Sequence, residues 1–348
     1  MMVSILPKGF EIVGDIREYI KLIRPYGILF LGFTPVFGAL CNGEFDAFHL
    51  SLLLIIGLLG HIFVFVQNDY YDMEIDRQSK YVVQRPLTTG VISRSNAFIL
   101  FLCSFCVSMM LAAVFFFSVR SFVVLLVSFL LMTLYNRYSK RIPGMEYVLG
   151  AAVLMYGLFG ALTVSDEIST LAIIISCVGF MQWVFSVGVS ANLKDVEFDT
   201  KLGIRTTPVL FGVHAIGNQL KKPVRFIMYT YAIKGIHLLV AMLPFILGYT
   251  SILLNGYPIP LVGFFILACI LLFTTRGILT TSLEERNLML RYEGVHEGLA
   301  LLLIPLVLLS YLVEHVGVLP TFCFMLFLIF WPLLSLRFLF GKTLIPLE

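Results

Sequence analysis

VFVQNDYYDMEIDRQSKYVVQRPLTTG, residues 64–90, is where a long apolar run meets the carboxylates of Asp69, Asp72, Glu74 and Asp76. The residues ahead of it read as bilayer core. Asp69, Asp72 and Asp76 stand at i, i+3 and i+7, and Asn68 lies one turn before Asp72, so a continuing helix carries them along one face. Like charges in such a row repel unless a cation sits among them, and hard oxygen donors at this density suit Mg²⁺. The spacing and the missing turn glycine exclude an EF-hand. The plain alternative is a solvated helix end with scattered charges.

The surroundings fix the class of protein. The chain has 348 residues, 59% apolar and 13% charged, with mean hydropathy +0.96. A soluble domain carries roughly 25% charge. A window of about 20 residues finds apolar segments at 27–45, 50–67, 96–117, 120–136, 146–164, 170–191, 226–249, 258–275, 298–313 and 318–336. They predict an all-α, polytopic membrane bundle of nine or ten transmembrane helices around a central cavity open to the cytoplasmic face. Residues 1–26 are expected to form a cytoplasmic interfacial helix, 27–340 the transmembrane domain and 341–348 a short cytoplasmic tail. A net charge of +3 gives no argument for nucleic acid. Membrane lipid is the expected surrounding, with no obligatory protein partner evident.

The basic residues set the orientation. All of the 24 except Arg120 and Lys234 fall in segments that emerge on one side, which the positive-inside rule makes cytoplasmic. Lys234 and His237 stand inside the seventh segment, where a charge costs about 2.5–3.5 kcal/mol on insertion scales. Snorkelling and a role in acceptor binding are the two readings of that pair. The 6 cysteines lie in or beside apolar segments and read as small buried hydrophobes.

Another acidic stretch, SANLKDVEFDTKLGIRTTPVLFG at 190–212, follows the sixth segment. Asp195 and Asp199 are i, i+4, again on one helix face, with Lys194 and Glu197 beside them. Both motifs follow even-numbered segments, so both emerge on the cytoplasmic side. Their convergence would hold two or more Mg²⁺ ions. Arg85, Lys140, Arg141, Lys194 and Arg205 would flank the same mouth. Carboxylates, divalent metal and basic side chains together describe a clamp for diphosphate. In an apolar, aromatic pocket, the other end of that diphosphate should be a lipid chain. Lys221 and Lys222, further along the loop, read as charges that merely orient the chain.

NDYYDMEID resembles the NDxxDxxxD signature of the UbiA superfamily of intramembrane prenyltransferases, and KDVEFD resembles the family's other, DxxxD-type motif. KLIRP, RPLTTG, YNRYSKR and GIRTTPVLFG look like further family fragments, and the resemblance spans roughly 17–340. It implies a bundle of about nine spans. Asn68, Asp72 and Asp76 would bind Mg²⁺–diphosphate, with Asp69 adjacent, and Asp195 and Asp199 would bind the second metal. Mn²⁺ would substitute for Mg²⁺. Arg85, Lys140 and Lys194 match positions that contact diphosphate or carry the basic loops near it.

The implied reaction is ionisation of an allylic prenyl diphosphate and capture of the cation by a small lipophilic or aromatic acceptor. Tyr70, Tyr71, Tyr135, Tyr138, Tyr156 and Trp183 are the aromatic candidates for shielding that cation. The NDYYDMEID motif resembles branches that alkylate glycerol-phosphate lipids or chlorophyllide, whereas NLKDVEFD is closer to a quinone-precursor branch. Glycerol-phosphate and aromatic quinone-precursor acceptors therefore stand together. A UbiA-type terpene cyclase and a cation-coupled transporter are the alternatives to transfer.

Overall fold

An apolar run in a bilayer satisfies its backbone by becoming a helix, and this chain does so almost throughout. The computed structural model describes residues 12–79 and 82–341. Its first helices are α1 (Ile12–Ile23), α2 (Ile28–Gly32), α3 (Thr34–Cys41), α4 (Ala47–Asp76) and α5 (Arg94–Phe115). Then come α6 (Val119–Tyr138), α7 (Met145–Leu162) and α8 (Thr170–Phe185), which a π-helical turn at Ser186–Ala191 prolongs. Short helices α9 (Val196–Lys201) and α10 (Thr207–Leu210) follow, then strands β1 (His214–Ile216) and β2 (Gln219–Lys221). The last are α11 (Val224–Ile246), α12 (Ile259–Thr280), α13 (Arg286–Leu301), α14 (Leu303–Val307), α15 (Leu309–Val316) and α16 (Val318–Phe340).

Among the described residues, 8 helices are long and apolar enough to cross a membrane, and two bent pairs bring the number to 10. One pair joins Ile16–Ile23 to Ile28–Cys41 at 60°, and the other joins Arg286–Val307 to Leu309–Val316 at 59°. The all-α membrane bundle is therefore found. The ninth apolar segment contains one of these bends, at Leu308, and the first begins just past the other, which falls between Ile23 and Ile28. Residues 1–11 of the expected interfacial helix and 342–348 of the expected tail lie outside the described residues.

The loop after α10 holds an antiparallel hairpin that the all-α expectation omits. Its register pairs His214 with Lys221 and Ile216 with Gln219, around a turn at Gly217 and Asn218. Gly217 takes φ 58°, which a side chain would resist.

Central helices approach closely because small residues face each other. A Cβ on Gly38 would collide with the Gly157 carbonyl, and one on Gly160 with the Pro35 carbonyl. These contacts clamp α3 against α7, whose other faces meet α6 and α8. Helix α4 has 30 residues and so runs about 45 Å, past a hydrocarbon core of about 30 Å. Its acidic end therefore projects beyond the apolar layer. Helix α16 packs on α13 and α15 and reaches the chain's beginning. Trp331 Nε1 donates to Pro25 O at 2.7 Å, Arg17 Nη2 donates to Leu339 O at 3.2 Å, and Phe324 meets Phe33 edge-on.

Candidate active site

The end of α4 divides its acids between two environments. Asn68, Asp72 and Asp76, spaced four apart, line a cavity of about 170 Å³. Asn68 Nδ2 donates to Asp72 Oδ2 at 3.3 Å. Asp69 is absent from that wall although it shares the stripe. Its Oδ1 instead accepts from Arg24 Nη2 at 2.6 Å and Arg85 Nη1 at 3.2 Å. Arg85 Nη1 also donates to Asp76 Oδ2 at 2.8 Å, so one guanidinium joins the hidden acid to the one on the wall. The expected metal stripe is thus two carboxylates and an amide on the wall, with Asp69 behind them fixing arginines.

The facing wall begins at the π-helical turn. Its wider turns rotate the residues beyond it, a device common at functional sites. Ala191, Asn192, Lys194, Asp195 and Asp199 all line the same cavity. Asp195 stands at the N-cap position of α9 without a side-chain capping bond and accepts from Arg286 Nη2 at 3.2 Å, while Arg286 Nη1 donates to Lys194 O at 2.5 Å. Asp199, fully buried, accepts from Thr206 Oγ1 at 3.2 Å through one oxygen. Its Oδ1 is buried without a hydrogen-bond partner, and Lys140 Nζ lies 3.9 Å away. Burial, reinforced by Asp195 and opposed by Lys140, pushes the Asp199 carboxyl up to about 6. Burial works against the Lys140 ammonium, yet the charges of Asp72, Asp199 and Asp195 outweigh it and hold its pKa above the ordinary value.

Arg24, Arg85, Tyr135, Lys140 and Lys194 complete the cavity wall, whereas Arg141 and Arg205 are exposed and stand off it. Among the described residues no three carboxylate, imidazole or thiol side chains meet around one point. That arrangement still fits Mg²⁺, which takes one or two carboxylates per ion and completes its octahedron with water and substrate phosphate. The unpartnered Asp199 Oδ1 is a hard donor of the required kind. Asn68, Asp72 and Asp76 on one wall and Asp195 and Asp199 on the other would hold the metal.

Three charged residues of the site carry no motif of their own in the sequence. Arg24 takes a left-handed φ of 49° at the elbow between α1 and α2, which turns its guanidinium onto Asp69 and over Phe65. Its one signal is its place in KLIRP. Arg286 belongs to a distant helix and has no local signal. Glu146, in the first turn of α7, lines the wall and accepts from Thr207 Oγ1.

A larger chamber, of about 310 Å³, shares Arg24, Phe65, Trp183 and Lys194 with the first. It extends between α13 and α16, where Leu290, Pro332 and Leu336 make its apolar side. A small one, of about 40 Å³, lies beyond Phe30, Gln182 and Trp183 among Phe37, Val153 and Leu301.

The profile of the UbiA prenyltransferase family matches residues 30–295. The digeranylgeranylglyceryl phosphate synthase of Pyrococcus furiosus is 28% identical over 204 residues, 57% of this chain and 70% of the relative. The 4-hydroxybenzoate octaprenyltransferase of Legionella pneumophila is 28% identical over 203 residues, 56% of this chain and 70% of the relative. Two solved structures share the fold. The apo UbiA homologue from Aeropyrum pernix K1 superposes with TM-score 0.62 at 15% identity, over 84% of this chain and 98% of its own. The Archaeoglobus fulgidus UbiA homologue bound to GPP and Mg²⁺ gives TM-score 0.58 at 21% identity, over 83% of this chain and 99% of its own. With the family profile covering most of the chain, and the acidic motifs and bundle in place, this membrane protein belongs to the UbiA prenyltransferase family and is a prenyltransferase.

Proposed function

We propose that the chain transfers an isoprenoid group from an allylic prenyl diphosphate to a lipophilic or aromatic acceptor, with Mg²⁺, at a site facing the cytoplasm. One observation carries the reading. Two acidic motifs from distant parts of the chain face each other across one cavity whose wall also carries four cations, Arg24, Arg85, Lys140 and Lys194, beside Glu146 and neutral polar groups. Guanidinium and ammonium groups carry several N–H donors each, which suit the oxygens of a diphosphate through charge-assisted bonds. Mg²⁺, when bound, would supply the remaining positive charge against the departing diphosphate.

The protein's own residues do the rest. Asp69 holds Arg24 and Arg85 at their angles, and Arg286 holds Asp195, so the clamp is formed before substrate arrives. Phe65 and Trp183 line the wall shared by the two larger chambers, where aromatic side chains would shield an allylic cation and exclude water. Tyr135 stands on the diphosphate side. The basic loops that accompany both motifs support the cytoplasmic orientation. They also support reading 27–340 as the membrane domain between cytoplasmic flanks.

The two relatives act on different acceptors by name, one a glycerol phosphate and one a hydroxybenzoate. The test is incubation of purified protein with geranylgeranyl diphosphate, Mg²⁺ and both acceptor classes, with products weighed by mass spectrometry. Alkylated acceptor is the expected result. A cyclised hydrocarbon formed without acceptor would replace transfer by cyclisation.

A further inference from the structure

Five polar residues, three of them buried, form a line beside the larger chamber. Lys234, with no exposed surface in the middle of α11, sends Nζ to Gln182 Oε1 at 3.1 Å and stands 3.2 Å from His237 Nδ1. Gln182 Nε2 donates to Glu297 Oε2 at 2.8 Å, and Ser186 Oγ donates to the same oxygen at 2.5 Å. Glu297 Oε1 is buried and has no hydrogen-bond partner, and Glu297 lines the larger chamber. An ammonium has only donors, so it fixes Gln182 with its oxygen inward and its amide N–H toward Glu297. Glu297 is thereby held with Oε2 taking two hydrogen bonds and Oε1 taking none, on a side chain that lines the chamber. Room stands in front of it because α13 has Gly294 and Gly298 there, and a Cβ on either would meet nothing within 4 Å.

We propose that this chamber recognises the acceptor, and that Glu297 Oε1 takes a hydrogen bond from a hydroxyl on a lipophilic molecule. A hydrocarbon tail alone would leave that oxygen desolvated and unpaired, which proteins avoid. A carboxylate or phosphate on the ligand cannot take this place, because both partners would be acceptors. Such groups fit Arg24 and Lys194, on the wall shared with the first cavity. Glu297 is the recognition residue, and Gln182 and Lys234 position it. The inference rests on the transfer reading for the identity of the hydroxyl compound as acceptor.

The experiment uses 2-naphthol and naphthalene, titrated by calorimetry into the full chain in detergent, with empty micelles subtracted. Wild type should bind 2-naphthol about tenfold or more tighter than naphthalene, the ratio for one hydrogen bond to a charged group. Glu297→Gln should reduce the preference severalfold, because Gln182 obliges the new amide to turn its N–H₂ into the chamber, where it can only donate a neutral hydrogen bond to the hydroxyl oxygen. In the Lys234→Met, Glu297→Gln double variant Gln182 is released to turn over, and part of the preference should return, which a merely structural lysine would not produce. Gly294→Leu fills the chamber and should weaken both probes about tenfold, and it decides the matter if Glu297→Gln does not fold. Equal affinities in wild type, a preference undiminished in Glu297→Gln, or full naphthol binding in Gly294→Leu would each overturn the proposal. Binding of geranyl diphosphate with Mg²⁺ is measured alongside. Its absence in wild type would sink the transfer reading, while the naphthol ratio would still judge the chamber.

Discussion

At the scale of single residues, the clamp separates side chains that touch the ligand from those that hold others in place. Asp72→Ala and Asp195→Ala each remove a wall carboxylate. Each should cost at least about a hundredfold in kcat, about 2.7 kcal/mol of barrier, with the protein still inserted and purifiable. Arg85→Ala should raise KM for the prenyl diphosphate or lower kcat by about tenfold, whereas exposed Lys221→Ala should change neither beyond about twofold. Lys222 is more than an orienting charge. Its ammonium donates to Thr281 O at 2.7 Å, and burial lowers its pKa to about 8. Its loss should appear in thermal stability and leave turnover alone.

Acidity gives another handle at this scale. The Asp199 carboxyl is raised from 3.8 to about 6 in the folded chain, so the neutral form is favoured there. This group's contribution to metal-free stability is full below pH 3.8 and is lost as pH rises toward 6. Metal needs the ionised form. The Mg²⁺ concentration for half-maximal activity should therefore climb as pH falls below 6, and Asp199→Asn should make that climb shallower.

At the scale of elements, long apolar runs are legible because hydropathy alone decides them. The breaks are not. Helix α13 begins at Arg286, ahead of the ninth apolar segment, because Arg286 in a salt bridge, Glu293 and Glu297 at a cavity and the exposed Arg291 together disguise it. The hairpin has a local sign, Gly217–Asn218 between short alternating runs, lost inside a chain read for helices. The site is legible as two motifs, because acids at helical spacing need no tertiary knowledge. Arg24, Arg286 and the retreat of Asp69 depend on where other helices pass. Packing supplies a test here. Gly160→Val drives a side chain into the Pro35 carbonyl and should lose about 1–3 kcal/mol, read as a lower melting temperature in detergent. Gly235→Ala, on the open face of α11, should melt no lower than wild type.

At the scale of the whole molecule, orientation and cavity belong together. A cysteine-free chain carrying Lys201→Cys should react with a membrane-impermeant maleimide only from the cytoplasmic side, and one carrying Asp166→Cys only from the other. Both positions are exposed. Reversed labelling would place the diphosphate site on the wrong face. The hold of Trp331 on Pro25 also governs time. These partners are 306 residues apart, so the first span waits through nearly the entire synthesis of the described chain before its neighbour arrives. Until α16 inserts, the flank formed by Tyr26 and Phe30 has only lipid, or a chaperone, beside it. Without α16 the larger chamber lacks the side made by Pro332 and Leu336, so a ribosome stalled before it would leave both acidic motifs assembled beside a chamber open along that flank.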